Sequence, residues 1–247
     1  MTSIDQSWRK RLLRKLDLRV AFPVLVYIMN IMDRANIATA RLRGFEEDLG
    51  MTGNQFNTLT SILYVGYLLM QAPSNMILQR IERPSLYLSS CMITWAAITM
   101  CMSAVPTYHA ALILRFWLGF VEATFFPGVV FLLSRWYKRN ELGLRMALLY
   151  CGGSASDAFS ALIASGILGG LDGKLGFMAW RWLFFVEGAL TIVVVVSAIW
   201  IIPDFPSTPS VWLLPKEQIL AKRRMEEEVV ARIEHVRQAR RGIFRPC

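Results

Sequence analysis

The sequence has 247 residues with a formal net charge of +9; 55% of the residues are hydrophobic and 18% are charged. This composition excludes an ordinary soluble domain, and the long apolar blocks are typical of membrane-spanning helices. The excess of Lys and Arg requires no nucleic-acid partner, because basic loops on the cytoplasmic side of a membrane protein account for it. We therefore predict an all-α membrane protein that does not bind nucleic acid.

Six apolar stretches are long enough to span a bilayer, whose core of about 30 Å requires roughly 20 helical residues. They cover residues 20–40, 56–78, 86–105, 110–133, 146–168 and 182–202. No cleavable signal peptide is expected before them. Of the 27 Lys and Arg residues, 21 lie in the N-terminal segment, the connections after the second and fourth spans, and the tail. This asymmetry predicts that both termini are cytoplasmic.

Two segments flank the predicted spans. Residues 1–19 form a basic arm, which we expect either to lie on anionic lipid as an amphipathic helix or to be solvated. Residues 203–247 begin with a Pro- and Ser-rich linker and continue as a charged helix. We expect both segments to lie in the cytoplasm.

The first span carries Asp33, Arg34 and Asn36 within its apolar length. Ionisable groups inside a bilayer are costly and therefore point to a functional site. The alternative is a structural ion pair between the adjacent Asp33 and Arg34. We take Arg34 and Asn36 as candidate substrate-binding residues.

The fourth span carries Arg115 and Glu122, which are two helical turns apart and share one face. Counting 1.5 Å per residue places Arg34 and Arg115 at similar depths, about 9 and 7.5 Å below the outer surface. Two guanidinium groups from different helices predict a carboxylate-binding site, because Arg pairs bidentately with carboxylates. Glu122 lies near the midplane, where burial and a nearby Arg act in opposite directions on its charge, as a reversible proton carrier requires. The alternative is a permanent Arg115–Glu122 pair that stabilises the helix.

The later spans hold two further carboxylates. Asp157 lies in the Gly-, Ala- and Ser-rich fifth span, as either a second protonation site or a hydrogen-bonded structural group. Glu187 opens the sixth span, and we expect it to have a structural partner such as Arg181. The cysteines lack the spacing of a metal site and are interpreted as packing residues, so no cofactor is expected.

Four motifs occur in order along the chain: MDRANIATAR (32–41), RFWLGFVEATFFPG (115–128), WRWLFFVEG (180–188) and IPDFPSTPS (202–210). Together they resemble the major facilitator superfamily, and specifically its anion:cation symporters. The fungal allantoate, nicotinate and pantothenate permeases are the branch that the sequence resembles most. The resemblance covers roughly residues 20 to 225.

This resemblance implies six helices arranged as two inverted three-helix repeats. Family members carry twelve spans, with the substrate between two six-helix halves, and this sequence contains the first six. The resemblance implies proton coupling by Asp33 and Glu122 and anion binding by Arg34 and Arg115.

We predict proton-coupled symport of a small organic anion by alternating access, with this chain as a truncated, N-terminal half that is inactive alone. Its expected partners are the anion, protons, the lipid bilayer, and a C-terminal six-helix half or a second copy. The alternative is a non-transporting half-transporter that pairs with itself or with a homologue. We expect the plasma membrane, with a vacuolar or other endomembrane as the alternative. We find no nucleophile motif or His cluster that would indicate an enzyme. We also find no filter-like loop that would indicate an ion channel.

Overall fold

The computed structural model of the protein describes residues 3–81, 83–171, 173–202, 204–205, 208 and 212–243. In this part of the chain the secondary structure is helical throughout. The helices are α1 (Ser3–Arg41), α2 (Phe45–Asp48), α3 (Gln55–Arg80), α4 (Pro84–Met102), α5 (Tyr108–Glu122), α6 (Phe125–Trp136), α7 (Arg139–Gly170), α8 (Ala179–Ile201) and α9 (Pro215–Ile243). A 3-10 turn, Lys174–Gly176, precedes α8.

Four stretches among the described residues are long and apolar enough to cross a membrane. They are Pro84–Met102, Tyr108–Trp136, Arg139–Ile167 and Ala179–Ile201. They correspond to the third to sixth predicted spans. The first and second predicted spans lie within α1 and α3, which contain 39 and 26 residues. Both helices exceed the roughly 20 residues that a bilayer core requires.

The helix pairing has the symmetry of two inverted three-helix repeats. If α1, α3 and α4 form one repeat, then α5–α6, α7 and α8 are its counterparts in the other. The most extensive packing joins α3 to α5, α1 to α7, and α4 to α8. If each helix is replaced by its counterpart in the other repeat, the α3–α5 pair becomes the α7–α1 pair. The α4–α8 pair is unchanged by the same exchange. The contacts therefore support the predicted architecture of half a major facilitator fold.

Two glycines allow α3 and α5 to cross in close contact. A Cβ atom added at Gly119 would lie 1.9 Å from the backbone oxygen of Leu63, and one added at Gly66 would lie 2.3 Å from the backbone oxygen of Phe116. Because neither position can accept a side chain without separating the two backbones, these glycines set the distance between the helices. This crossing fixes α5, which carries Arg115 and Glu122.

The fourth predicted span is broken into α5 and α6 at residues 123–124. Pro127 has no N–H to donate to the carbonyl of Ala123, four residues earlier, so the helical bond at that point is lost. The break lies about one turn before Pro127. Glu122 is therefore the last residue of α5.

The N-terminal segment is part of the first long helix. Helix α1 continues without interruption from Ser3 through Pro23 to Arg41, so residues before the first span do not form a separate helix. Leu12 and Leu16 are buried in the main core cluster together with Leu213 and Ala221. These apolar side chains therefore pack within the protein.

The tail helix α9 is attached to the same end of the bundle by ion pairs. Lys15 Nζ lies 2.7 Å from Glu217 Oε2, and Arg224 Nη2 lies 2.6 Å from Glu141 Oε2. The Arg19 guanidinium carbon lies 4.1 Å from the centre of the Trp212 ring. These contacts connect the start of α1, the start of α7 and α9.

Candidate functional site

Arg34 and Glu122 form an ion pair between α1 and α5. Arg34 Nε donates to Glu122 Oε2 at 2.8 Å, and the side chains are 21% and 0% exposed. The Arg34 guanidinium also lies over the ring of Tyr67, with its carbon 4.8 Å from the ring centre. The sequence offered two pairings, Asp33 with Arg34 and Arg115 with Glu122. The structure instead joins Arg34 to Glu122.

Asp33 lies beside Arg34 in the chain but contacts a different helix. Its Oδ2 atom accepts a hydrogen bond of 2.5 Å from the indole Nε1 of Trp95, on α4. Oδ1 has no hydrogen-bond partner among the described residues, and the residue is 1% exposed. Asp33 therefore belongs to the interior of the bundle, whereas Arg34 is directed towards α3 and α5.

Arg115 and Asn36 are enclosed more completely than the sequence suggested. Arg115 is 1% exposed, and its guanidinium carbon lies 5.6 Å from the ring centre of Phe184 on α8. Its Nε and Nη2 atoms have no hydrogen-bond partner within the described residues. Both polar side-chain atoms of Asn36 are likewise without a described partner, and the residue is fully buried.

A cavity of about 160 Å³ opens beside the Arg34–Glu122 pair. Its walls come from α1, α3, α6 and α7, and they consist of aromatic, aliphatic and polar side chains: Tyr27, Asn30, Ile31, Arg34, Tyr67, Phe126 and Tyr150. Arg34 is its charged lining residue. Arg115 and Asn36 do not line it, so the structure does not bring the two predicted arginines together at the cavity wall.

Four of the predicted site residues converge on one region. The charges of Glu122 and Asp33 act on Arg115, and the ion pair joins Glu122 to Arg34. The side chain of Asp157 lies outside the described residues, so the structure does not describe its surroundings.

Sequence reasoning missed two partners and misassigned another. Tyr67, which stacks on Arg34, gave no signal in the sequence. For Trp95 a signal was available, because a buried indole N–H ordinarily needs an acceptor, which here is Asp33. Arg181 does not pair with Glu187: its Nη2 atom lies 2.8 Å from Asp48 Oδ2.

The geometry gives Arg34 two possible anionic partners. Its guanidinium is held by Glu122 on one side and also lines the cavity. A carboxylate that entered the cavity would compete with Glu122 for the same cation. If Glu122 bound a proton, the ion pair would be replaced by a weaker neutral contact and Arg34 would be released for the incoming anion.

Comparisons of the sequence and of the fold with known proteins identify a family. The sequence profile of the Major Facilitator Superfamily matches residues 24–241. The chain is 40% identical over 200 residues to the MFS-type transporter cnsO of Penicillium expansum, covering 80% of this chain and 38% of that protein. It is 34% identical over 200 residues to the pantothenate transporter liz1 of Schizosaccharomyces pombe, covering 81% and 39%.

A third relative is the major facilitator-type transporter hxnP of Emericella nidulans, which is 33% identical over 237 residues, covering 94% of this chain and 47% of that protein. The chain thus spans less than half the length of these relatives. A similar solved structure is that of a bacterial homologue of the human lysosomal transporter Spinster, in an inward-facing and occupied conformation. Its TM-score is 0.69 at 21% identity, covering 76% of this chain and 44% of that one.

The structural similarity supports the fold, and the family consists of membrane transporters and not of enzymes. The helical fold, the inverted pairing of its helices and the sequence matches all indicate the same family. The chain belongs to the Major Facilitator Superfamily.

Proposed function

We propose that this chain is the N-terminal half of a proton-coupled symporter for a small organic anion, acting by alternating access with a second six-helix half. The observation that carries the proposal is the position of Arg34, which is held by Glu122 and also lines the cavity. Arg34 would bind a substrate carboxylate, and Glu122 would take up the proton when the anion displaces it.

The proposed coupling follows from electrostatics. An unprotonated Glu122 and a substrate anion cannot both be neutralised by one guanidinium in a poorly hydrated site. Binding of the anion therefore favours protonation of Glu122, and protonation of Glu122 favours anion binding, with the same coupling free energy in both directions. A proton and an anion would then cross the membrane together. Asp33 and Arg115 would adjust this equilibrium through their charges, because neither lines the cavity.

The proposed substrate class is a small carboxylate. A bidentate contact with Arg suits a carboxylate, and the aromatic lining suits an apolar part of the same molecule. Pantothenate, which the name of the S. pombe relative gives as its substrate, is a suitable first probe. The proposed location is the plasma membrane, with an endomembrane as the alternative.

The test is uptake of labelled pantothenate and other small carboxylates, driven by an inward proton gradient, into proteoliposomes that contain the whole protein. The whole protein here means this chain together with the second six-helix half. We expect Arg34→Ala to raise the KM for the anion about 10- to 100-fold, because the variant loses a charge-assisted hydrogen bond to the substrate. We expect Glu122→Gln to abolish the acceleration of uptake by the gradient. Arg41→Gln is the matched control, since Arg41 is also on α1 and ion-paired, but with Glu46 at 3.1 Å and half exposed.

The outcomes separate the two roles. Unchanged KM in Arg34→Ala would contradict the binding role, and gradient-driven uptake by Glu122→Gln would contradict the coupling role. No gradient-driven uptake of any carboxylate by the unsubstituted protein would contradict the proposed function as a whole.

A further inference from the structure

Asn30 is a polar residue of the cavity wall to which the proposed function assigns no role. It lies on α1, four residues before Arg34, so the two side chains project from the same face of the helix. Both line the cavity of about 160 Å³, and Asn30 is 2% exposed. Asn30 is therefore enclosed by the protein and adjoins the space that the substrate is proposed to enter.

The amide of Asn30 is not satisfied by the protein. Its Nδ2 atom has no hydrogen-bond partner among the described residues. The amide lies near the Glu122 carboxylate, but Glu122 Oε1 also lacks a described partner, so no hydrogen bond joins the two groups. A buried amide without a partner is costly, and such a group in a native protein requires an explanation. A molecule in the cavity is positioned to supply the partner.

Aromatic side chains of the cavity wall are fixed by their own packing. The ring centre of Phe126 lies 5.6 Å from that of Tyr27 and 5.7 Å from that of Tyr150. The Tyr27 ring also lies against α7, where a Cβ added at Gly153 would be 2.7 Å from Tyr27 Cε1. These rings offer an apolar surface to a hydrocarbon chain, and Asn30 supplies the amide of the wall.

The helix geometry sets the distance between the two polar groups of a matching ligand. The four residues from Asn30 to Arg34 correspond to about 6 Å along α1. A guanidinium pairs bidentately with both oxygens of a carboxylate, which leaves the amide for a different group of the ligand. An asparagine amide has two N–H donors and an oxygen acceptor, and a half-turn about its terminal bond exchanges them. A hydroxyl group, which both donates and accepts, therefore matches the amide in either orientation.

We propose that Asn30 binds a second polar group of the substrate, and that the substrate is a carboxylate with a hydroxyl group about 6 Å from its carboxyl carbon. Arg34 holds the carboxylate, the aromatic wall packs on the connecting carbon chain, and the Asn30 amide forms a hydrogen bond with the hydroxyl. This narrows the proposed class of small carboxylates. The inference rests on the proposed function in one respect, since it requires Arg34 to bind the carboxylate.

The test compares two probes that differ in one group. The probe δ-hydroxyvalerate carries a hydroxyl where hexanoate carries a methyl group, and calorimetric titration of the purified whole protein gives the Kd of each. We expect δ-hydroxyvalerate to bind more tightly, and Asn30→Leu to reduce this preference about 10-fold through the loss of one hydrogen bond. Asn30→Ala, which removes the amide without adding bulk, should give the same reduction. Ser89→Ala is the control and should leave the preference unchanged, because Ser89 on α4 is also buried and without a described partner but does not line the cavity.

Two results would overturn the inference. The first is that the unsubstituted protein binds hexanoate as tightly as δ-hydroxyvalerate, which needs no variant to fold. The second is an unchanged preference in Asn30→Leu or Asn30→Ala, including an equal loss of affinity for both probes, because the amide would then act on the carboxylate or on the fold. The proposed function is tested separately: it fails if the proton gradient drives no carboxylate uptake, and the two Kd values still decide the role of Asn30.

Discussion

The Arg34–Glu122 pair makes a quantitative prediction about the stability of the bundle. Glu122 is fully enclosed, and removing one partner of a buried ion pair costs about 3–5 kcal/mol. The Arg34 side chain is 21% exposed, so water can compensate part of the lost charge contact in Glu122→Gln. We therefore expect this variant to lose about 2–4 kcal/mol of unfolding free energy.

A double-mutant cycle isolates the interaction from other effects of each substitution. The variants are Arg34→Gln, Glu122→Gln and the double substitution, compared by chemical unfolding of the purified chain in detergent. Because the double variant leaves neither charge unpaired, its loss should be smaller than the sum of the single losses by about 1–3 kcal/mol. The reasoning is refuted if the two single losses add to within about 0.5 kcal/mol.

Two further predictions concern the framework. Gly119→Ala should lower the stability of the purified protein by about 1–3 kcal/mol, because its Cβ would overlap the α3 backbone, and thermal unfolding should show it. Gly143→Ala is the control, since nothing lies within 4 Å of its added Cβ, and an equal loss there would contradict the argument. Burial raises the pKa of Glu217, but the Lys15 ammonium and a backbone N–H outweigh this effect and hold the pKa below its usual 4.5. The attachment of α9 should therefore be complete above pH 4.5 and weaken as the pH falls below this value. Distances between spin labels on α1 and α9, measured as a function of pH, would report the change. A distance that does not depend on pH would contradict this prediction.

The sequence predicted the parts of the fold that depend on local pattern. Long apolar blocks located the spans. The inverted repeats came from the resemblance to a known family. A charge inside an apolar block is also a local signal, and it is sufficient to identify Arg34, Arg115 and Glu122 as candidate site residues.

Pairings between helices were not predictable in the same way. Arg34 and Glu122 are 88 residues apart, and nothing in their spacing distinguishes this pair from Arg115 with Glu122. Depth along the helix axis gave a similar level for Arg34 and Arg115, but it carries no information on the direction in which a long side chain extends. Tyr67 contacts Arg34 from another helix, α3, and no local pattern connects the two residues.

The same limit explains the N-terminal segment. Its basic residues and periodic leucines are compatible with a lipid surface or with a protein surface, since both bury one apolar face. The structure buries Leu12 and Leu16 in the same core cluster as Leu213 and Ala221, which lie more than 190 positions later in the chain. A local pattern defines the apolar face, and the distant partner determines what covers it.

The measurement that tests the central claim most directly is proton uptake on anion binding. Purified whole protein in weakly buffered solution is mixed with a carboxylate that it binds, and a pH indicator follows the released or absorbed protons. The competition for Arg34 predicts that each bound anion is accompanied by uptake of a proton, and that Glu122→Gln removes this uptake. Anion binding to the unsubstituted protein without proton uptake, across the pH range in which transport occurs, would contradict the account.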